Sequence, residues 1–176
     1  IVFDRQTIID HLRQQAYLTK GIELIIQDLR EQPEIAKRLL EESACDPKAT
    51  AAIPPSLAYG FHFEGGIASF ARHLNHRKDL AHDEVFYVEK EAEGINVETA
   101  LQYNKDFKEN VLAFANNIFN PEGGTHVAGF RTALTRTLNA YARAKGYLKE
   151  KDENLSGEDV REGLTAVISV KVKDPQ

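Results

Sequence analysis

At 176 residues, with 42% hydrophobic and 28% charged residues, the chain is long enough for one soluble domain with a real core and is neither fibrous nor disordered. No run of about 18 apolar residues occurs, which excludes a transmembrane helix, and no signal-peptide pattern opens the chain. A single cysteine, Cys45, excludes an internal disulfide framework and suits a reducing, cytoplasmic setting, and the net charge is −5.

Residues 5–20 carry Ile8, Ile9, Leu12 and Ala16 at helical spacing, with Asp4 or Thr7 to cap the start and Gly21 to stop the helix. A β-branched strand over 22–29 follows. Residues 31–56 change character. Pro33, Pro47, Pro54 and Pro55 punctuate a polar stretch with one short helix at 34–43, which reads as an insertion or mobile excursion. A short aromatic strand at 57–63 leads through Glu64-Gly65-Gly66 to a helix over about 67–74.

Residues 84–90 and 97–103 alternate as paired strands joined through Glu93-Gly94. The nearly continuous apolar run at 110–116 reads as a central strand. A long helix occupies about 125–145, a polar loop 149–157, and a β-branched strand 163–172. The order predicts an α+β domain over 1–176, a mixed sheet with helices on one face. With no methionine, and a start in mid-pattern at Ile1-Val2-Phe3, it is expected to be a fragment of a longer chain.

The long helix is the most informative element. Its apolar stripe is Val127, Phe130, Leu134, Leu138 and Tyr141. From Thr125 to Lys149 the chain has five basic residues, Arg131, Arg136, Arg143, Lys145 and Lys149, and no Asp or Glu. Arg136 and Arg143 fall opposite the stripe. Arg131 sits at its margin, where the stem can pack and the guanidinium reach out. A solvated face normally mixes both signs of charge, so a nucleic-acid or phosphate partner is the sharper reading.

Gly123, Gly124 and Thr125 outline a phosphate cradle but lack the pattern and the lysine of a nucleotide loop, so the turn is read as a structural helix start. Glu64-Gly65-Gly66 and Glu122-Gly123-Gly124 echo each other, as repetition or as recurrent turn chemistry. Of the histidines His11, His62, His73, His76, His82 and His126, the pair His73 and His76 stands i,i+3 with His82-Asp83 beyond, a spacing open to zinc; with no second cysteine they read instead as surface histidines, and no metal is expected. His126 reads as a structural group bonding the preceding turn. The stretch 157–163 holds both signs of charge in one short turn, as internal salt bridging or as a hinge or contact to a neighbouring domain.

Several ordered motifs carry a resemblance: Tyr59-Gly60-Phe61-His62-Phe63-Glu64-Gly65-Gly66-Ile67, Phe114-Ala115-Asn116-Asn117-Ile118, Glu122-Gly123-Gly124-Thr125-His126, Gly129-Phe130-Arg131-Thr132-Ala133-Leu134-Thr135-Arg136, and the run from Gly157 to Lys171. Together they resemble the second, transducer domain of the ATPase subunit of bacterial type IIA topoisomerases, the gyrase B type more than the topoisomerase IV type. The resemblance covers nearly the whole chain except about 31–56, which is longer than the family leads one to expect.

The resemblance implies a fold like the second domain of ribosomal protein S-five. It implies an ATP-hydrolysing DNA topoisomerase as the parent, with ATP and Mg bound by a preceding GHKL-type domain and a gyrase A-type subunit as partner. The transducer would couple ATP-driven closure to strand passage, and the long helix would help line the cavity for double-stranded DNA, with Arg131 pointing into it. Helix counting adds Arg136 and Arg143 as DNA-contact candidates. Family members continue into a loop bearing Gln-Thr-Lys, whose lysine reaches the ATP γ-phosphate. Without that loop and the ATP-binding domain, the fragment is expected to be inactive, with no catalytic residue and no bound cofactor. The alternative is an S-five-like RNA- or protein-binding module with no ATPase partner.

Overall fold

The structure is a computed structural model that describes residues 3–34 and 58–173. The expected helix at 34–43 and almost all of the 31–56 excursion lie outside the described residues. The chain divides into two compact units, Ile1–Gly66 and Ile67–Gln176.

In the first unit, helix α1 (Arg5–Leu18) starts where expected, with Asp4 as N-cap. The Thr7 backbone N–H donates to Asp4 Oδ2 at 2.7 Å. Hydrogen bonds from the Thr7 hydroxyl and backbone hold the Asp4 carboxyl below its usual range. The helix buries Ile9, Ala16, Tyr17 and Leu18, and Gly21 turns the chain at φ 81° into β1 (Glu23–Gln27). β1 pairs antiparallel with β2 (Ala58–His62), and the Tyr17 ring stacks on Phe63 at 3.7 Å. Ile25 faces Gly60 across the ladder, has no side chain to lean on, and remains 55% exposed.

The second unit runs α2 (Gly66–Asn75), β3 (Phe86–Ala92), β4 (Ile95–Tyr103), β5 (Asn110–Ala115), β6 (Ile118–Phe119), α3 (Thr125–Ala144), α4 (Gly157–Arg161) and β7 (Leu164–Lys171). The sheet order is β3-β4-β7-β5-β6, with β7 parallel to β5 and antiparallel to β4. The α+β class, the mixed sheet and the long helix are therefore what the structure shows. Two-residue turns close both hairpins. Glu93-Gly94 has φ 55° and 77°, and Asn116-Asn117 has φ 48° and 65°, the left-handed pair that matches strand twist. The second turn creates β6, a short strand that the sequence pattern does not announce. β5 lies inside the sheet, but the centre is β7.

One feature corrects the expectation of helices on one face. β7 is buried from Leu164 to Val170, so both of its faces need cover. On one face Ile168 and Val170 pack with Ala113 under Val127 and Phe130 of α3, and Leu164 and Ala166 pack with Leu101 under Phe130 and Leu134. On the other, Phe70 of α2 lies 6.3 Å from Phe114, and Thr165 Oγ1 donates to Asn75 Oδ1 at 2.8 Å. A second correction concerns the stripe on α3. Tyr141 is 53% exposed and meets Tyr147 instead. The helix is about 30 Å long, and Val127, Phe130 and Leu134 are the residues it gives to these two clusters.

Candidate nucleic-acid interface

The glycine turn launches α3. Gly123 sits at φ 76°, and its N–H donates to Asn120 O at 3.0 Å. Gly124 is extended, serves as N-cap without a side-chain bond, and accepts from Val127 and Ala128 N–H at 3.1 Å. Thr125 is the first helical residue. The His126 ring packs over Gly124, where a Cβ would stand 3.0 Å from the ring. Its Nε2 has no hydrogen-bond partner among the described residues, so His126 packs against the turn and does not bond it.

One turn beyond, α3 borders an open concavity of about 690 Å³. Arg131, Arg136 and Arg143 all line it, and α4 adds Arg161. The helical count thus places the three predicted arginines together, but their states differ. Arg131 donates from Nε and Nη2 to the two carboxylate oxygens of Glu109 at 2.9 and 3.0 Å. Arg143 is spent on structure. Its guanidinium donates to Asn154 Oδ1 at 3.0 and 2.7 Å, to Lys149 O at 2.9 Å and to Asp152 O at 2.9 Å. These bonds shape the loop that follows α3. Arg136 is exposed and has no hydrogen-bond or ion-pair partner among the described residues.

Three participants were not legible. Glu109 precedes β5 and reaches α3 only through the fold. It also pairs with Arg161 at 3.5 Å, so one carboxylate serves two guanidiniums. Asn139 ties the loop down from the helix side, accepting from Leu155 N–H at 2.8 Å and donating to Leu155 O at 3.0 Å. Arg161 ends α4, a single helical turn with a capping box between Ser156 and Asp159. Among the described residues the one ion pair made by 157–163 runs from Arg161 to Glu109, outside the stretch, and not between charges within it. The concavity keeps a surplus of positive charge on rigid elements, which suits an extended polyanion held through its phosphates.

Comparison with known proteins decides the family. The family model described as DNA gyrase B matches residues 66–176. The chain belongs to the DNA gyrase B family. Its match begins at Gly66, one residue before the second compact unit. The DNA gyrase B protein of Halalkalibacterium halodurans is 46% identical over 175 residues, covering 99% of this chain and 24% of the relative. That of Clostridium acetobutylicum is 46% identical over 176 residues, again 99% and 24%. The chain thus spans about a quarter of the length of these gyrase B relatives. Among solved structures, the 43K ATPase domain of Thermus thermophilus gyrase B in complex with an aminocoumarin superposes with TM-score 0.79 at 32% identity, covering all of this chain and 42% of that one. The gyrase B protein of Myxococcus xanthus shares the fold, with TM-score 0.71 at 24% identity over 97% of this chain and 45% of that one. Membership of the gyrase B family does not favour the alternative of an RNA- or protein-binding module. Among the described residues no helix is long and apolar enough to cross a membrane.

Proposed function

We propose that the chain is the transducer segment of a gyrase B-type protein, coupling ATP binding and hydrolysis in a preceding domain to passage of double-stranded DNA. Its parent is then an ATP-dependent DNA topoisomerase of the cytoplasm, working with a gyrase A-type subunit. ATP and Mg belong to the preceding domain. Among the described residues no three His, Cys, Asp or Glu side chains converge on a possible metal position.

Within this reading the α3 concavity contacts DNA phosphates, without base readout and with strong salt dependence. The observation that carries it is Arg136, a guanidinium without a partner among the described residues, on a helix with no acidic residue and beside two arginines that share one carboxylate. Arg131 and Arg136 are the expected contacts, and Arg143 holds the neighbouring loop in shape.

Replacing Arg131, Arg136 and Arg143 together by Ala in the full-length enzyme is expected to depress both DNA-stimulated ATP hydrolysis and supercoiling. Because Arg143 is structural, Arg136→Ala alone is the cleaner probe. It should leave the melting temperature unchanged and lower the log–log salt slope of DNA binding by about one. Full activity in the triple variant would sink the assignment.

A further inference from the structure

We propose that Glu109 is a positioning residue that aims Arg131 at DNA phosphate. This rests on the reading of the α3 concavity as a DNA-phosphate site. A guanidinium has two edges able to grip an oxyanion in a bidentate manner, one formed by Nε with Nη2 and one by Nη1 with Nη2. Glu109 takes the first edge of Arg131, at 2.9 and 3.0 Å. The Nη1 end has no partner among the described residues, and Arg131 borders the concavity. Its side chain is 42% exposed, whereas that of Glu109 is 23% exposed, so the acid stands behind the base as seen from solvent.

The same carboxylate forms an ion pair with Arg161 Nε at 3.5 Å, without a hydrogen bond, and the Arg161 side chain is only 24% exposed. Arg161 lies across the first turn of α4, where a Cβ on Gly157 would stand 2.6 Å from its Nη1. Glu109 therefore grips α3 through Arg131 and neighbours α4 through the charge of Arg161. Three formal charges of this cluster sum to a net positive one, so the clamp orders Arg131 without cancelling the attraction. A long arginine held this way loses less conformational freedom on meeting a phosphate than a free one does.

The alternative is that Glu109 competes with DNA for Arg131. The two readings predict opposite signs for the same substitution. The test is a set of equilibrium titrations of the full-length protein with a fluorescent DNA duplex over a salt series, for wild type, Glu109→Gln, Arg131→Ala and the double variant. Glu109→Gln keeps the size and removes the charge. It is expected to weaken binding about five-fold and to lower the log–log salt slope by up to about one, as Arg131→Ala does. The double variant is expected to bind no more weakly than Arg131→Ala, because the acid acts through that arginine. Tighter binding by Glu109→Gln, or losses that simply add in the double variant, would overturn the inference.

Thermal melting of each variant separates misfolding from loss of contact. Should Glu109→Gln melt early, Glu109→Asp takes its place. It keeps the charge but is one methylene too short to keep both oxygens on the Arg131 edge, and affinity equal to wild type would count against positioning. If Arg131→Ala and Arg136→Ala both leave affinity and slope untouched, the groove itself is misassigned. If they weaken binding while Glu109→Gln does not, only the positioning role fails.

Discussion

Asn75 shows how one polar side chain can hold a sheet together. It is buried at the end of α2, donates to Gln102 Oε1 at 3.1 Å, and accepts from Asn104 Nδ2 at 3.2 Å and Thr165 Oγ1 at 2.8 Å. Gln102 carries the network on to the carbonyls of His82 and Asp83. Asn75→Ala would leave Gln102 Oε1 without its donor, at a cost of about 1–3 kcal/mol, and would remove one bond each from Asn104 and Thr165, which still bond each other at 3.2 Å. Urea unfolding should show a loss of roughly 3 kcal/mol, with the midpoint shifted and the slope unchanged. Gly163 guards the same region, since a Cβ there would lie 2.2 Å from Asn104 O. None of this is legible in sequence, where Asn75 and Thr165 are 90 positions apart. The arginines were only half legible for the same reason. Helical periodicity put Arg136 and Arg143 on the outer side of α3, but periodicity carries no information about a loop that folds back to consume one of them.

Among the elements, α4 is the one whose sign is present in the sequence but easily passed over. Ser156-Gly157-Glu158-Asp159 fits the capping-box pattern, yet a five-residue helix in a polar stretch reads as loop. The structure realises both halves of the box. Asp159 N–H donates to Ser156 Oγ at 3.1 Å, and Ser156 N–H donates to Asp159 Oδ2 at 2.8 Å. Ser156→Ala is expected to cost about 1 kcal/mol. The side-chain bond from Ser156, then its backbone N–H, hold the Asp159 carboxyl below its usual range. A lowered carboxylate contributes stability above its unfolded value and loses it as the pH falls through the folded one. The stability gap between wild type and Ser156→Ala should therefore narrow on acidification through the carboxylate range, as chemical denaturation at several pH values would show. A constant gap would mean the hydroxyl does not act through Asp159. β6 escapes a reading by pattern in a similar way. Asn116-Asn117 is a fair left-handed turn signal, hidden by the apolar run that it interrupts. The strong elements α3 and β7 were legible because length and composition alone specify them.

The chain carries a net charge of −5, so its concave basic surface has to act against the charge of everything around it. Acid collects elsewhere in the second unit. Glu89, Glu91 and Glu98 share one face of the β3–β4 hairpin, and Tyr87 sits among them with its hydroxyl bonded to Glu89 and Glu98 at 3.1 and 3.3 Å. Burial, followed by these carboxylates, pushes the Tyr87 phenol above its usual range. The family was legible because ordered motifs survive in the sequence, whereas the balance between groove and acidic face is set by where the fold puts each charge. That balance has a measurable consequence. At about 0.15 M salt the screening length is about 8 Å, so DNA phosphates sense the arginines they touch and little else. At about 0.01 M it is about 30 Å, and the whole acidic chain repels the duplex. Counterion release by two or three contacted phosphates predicts a log–log slope of about −2 to −3 near physiological salt. For the 176-residue chain the slope should flatten below that range, where long-range repulsion offsets the gain from weaker screening. A titration of duplex DNA from low to physiological salt would show the bend. A straight line persisting to the lowest salt would mean that the groove dominates the field of the chain, and a tight complex insensitive to salt would remove phosphate contacts as its basis.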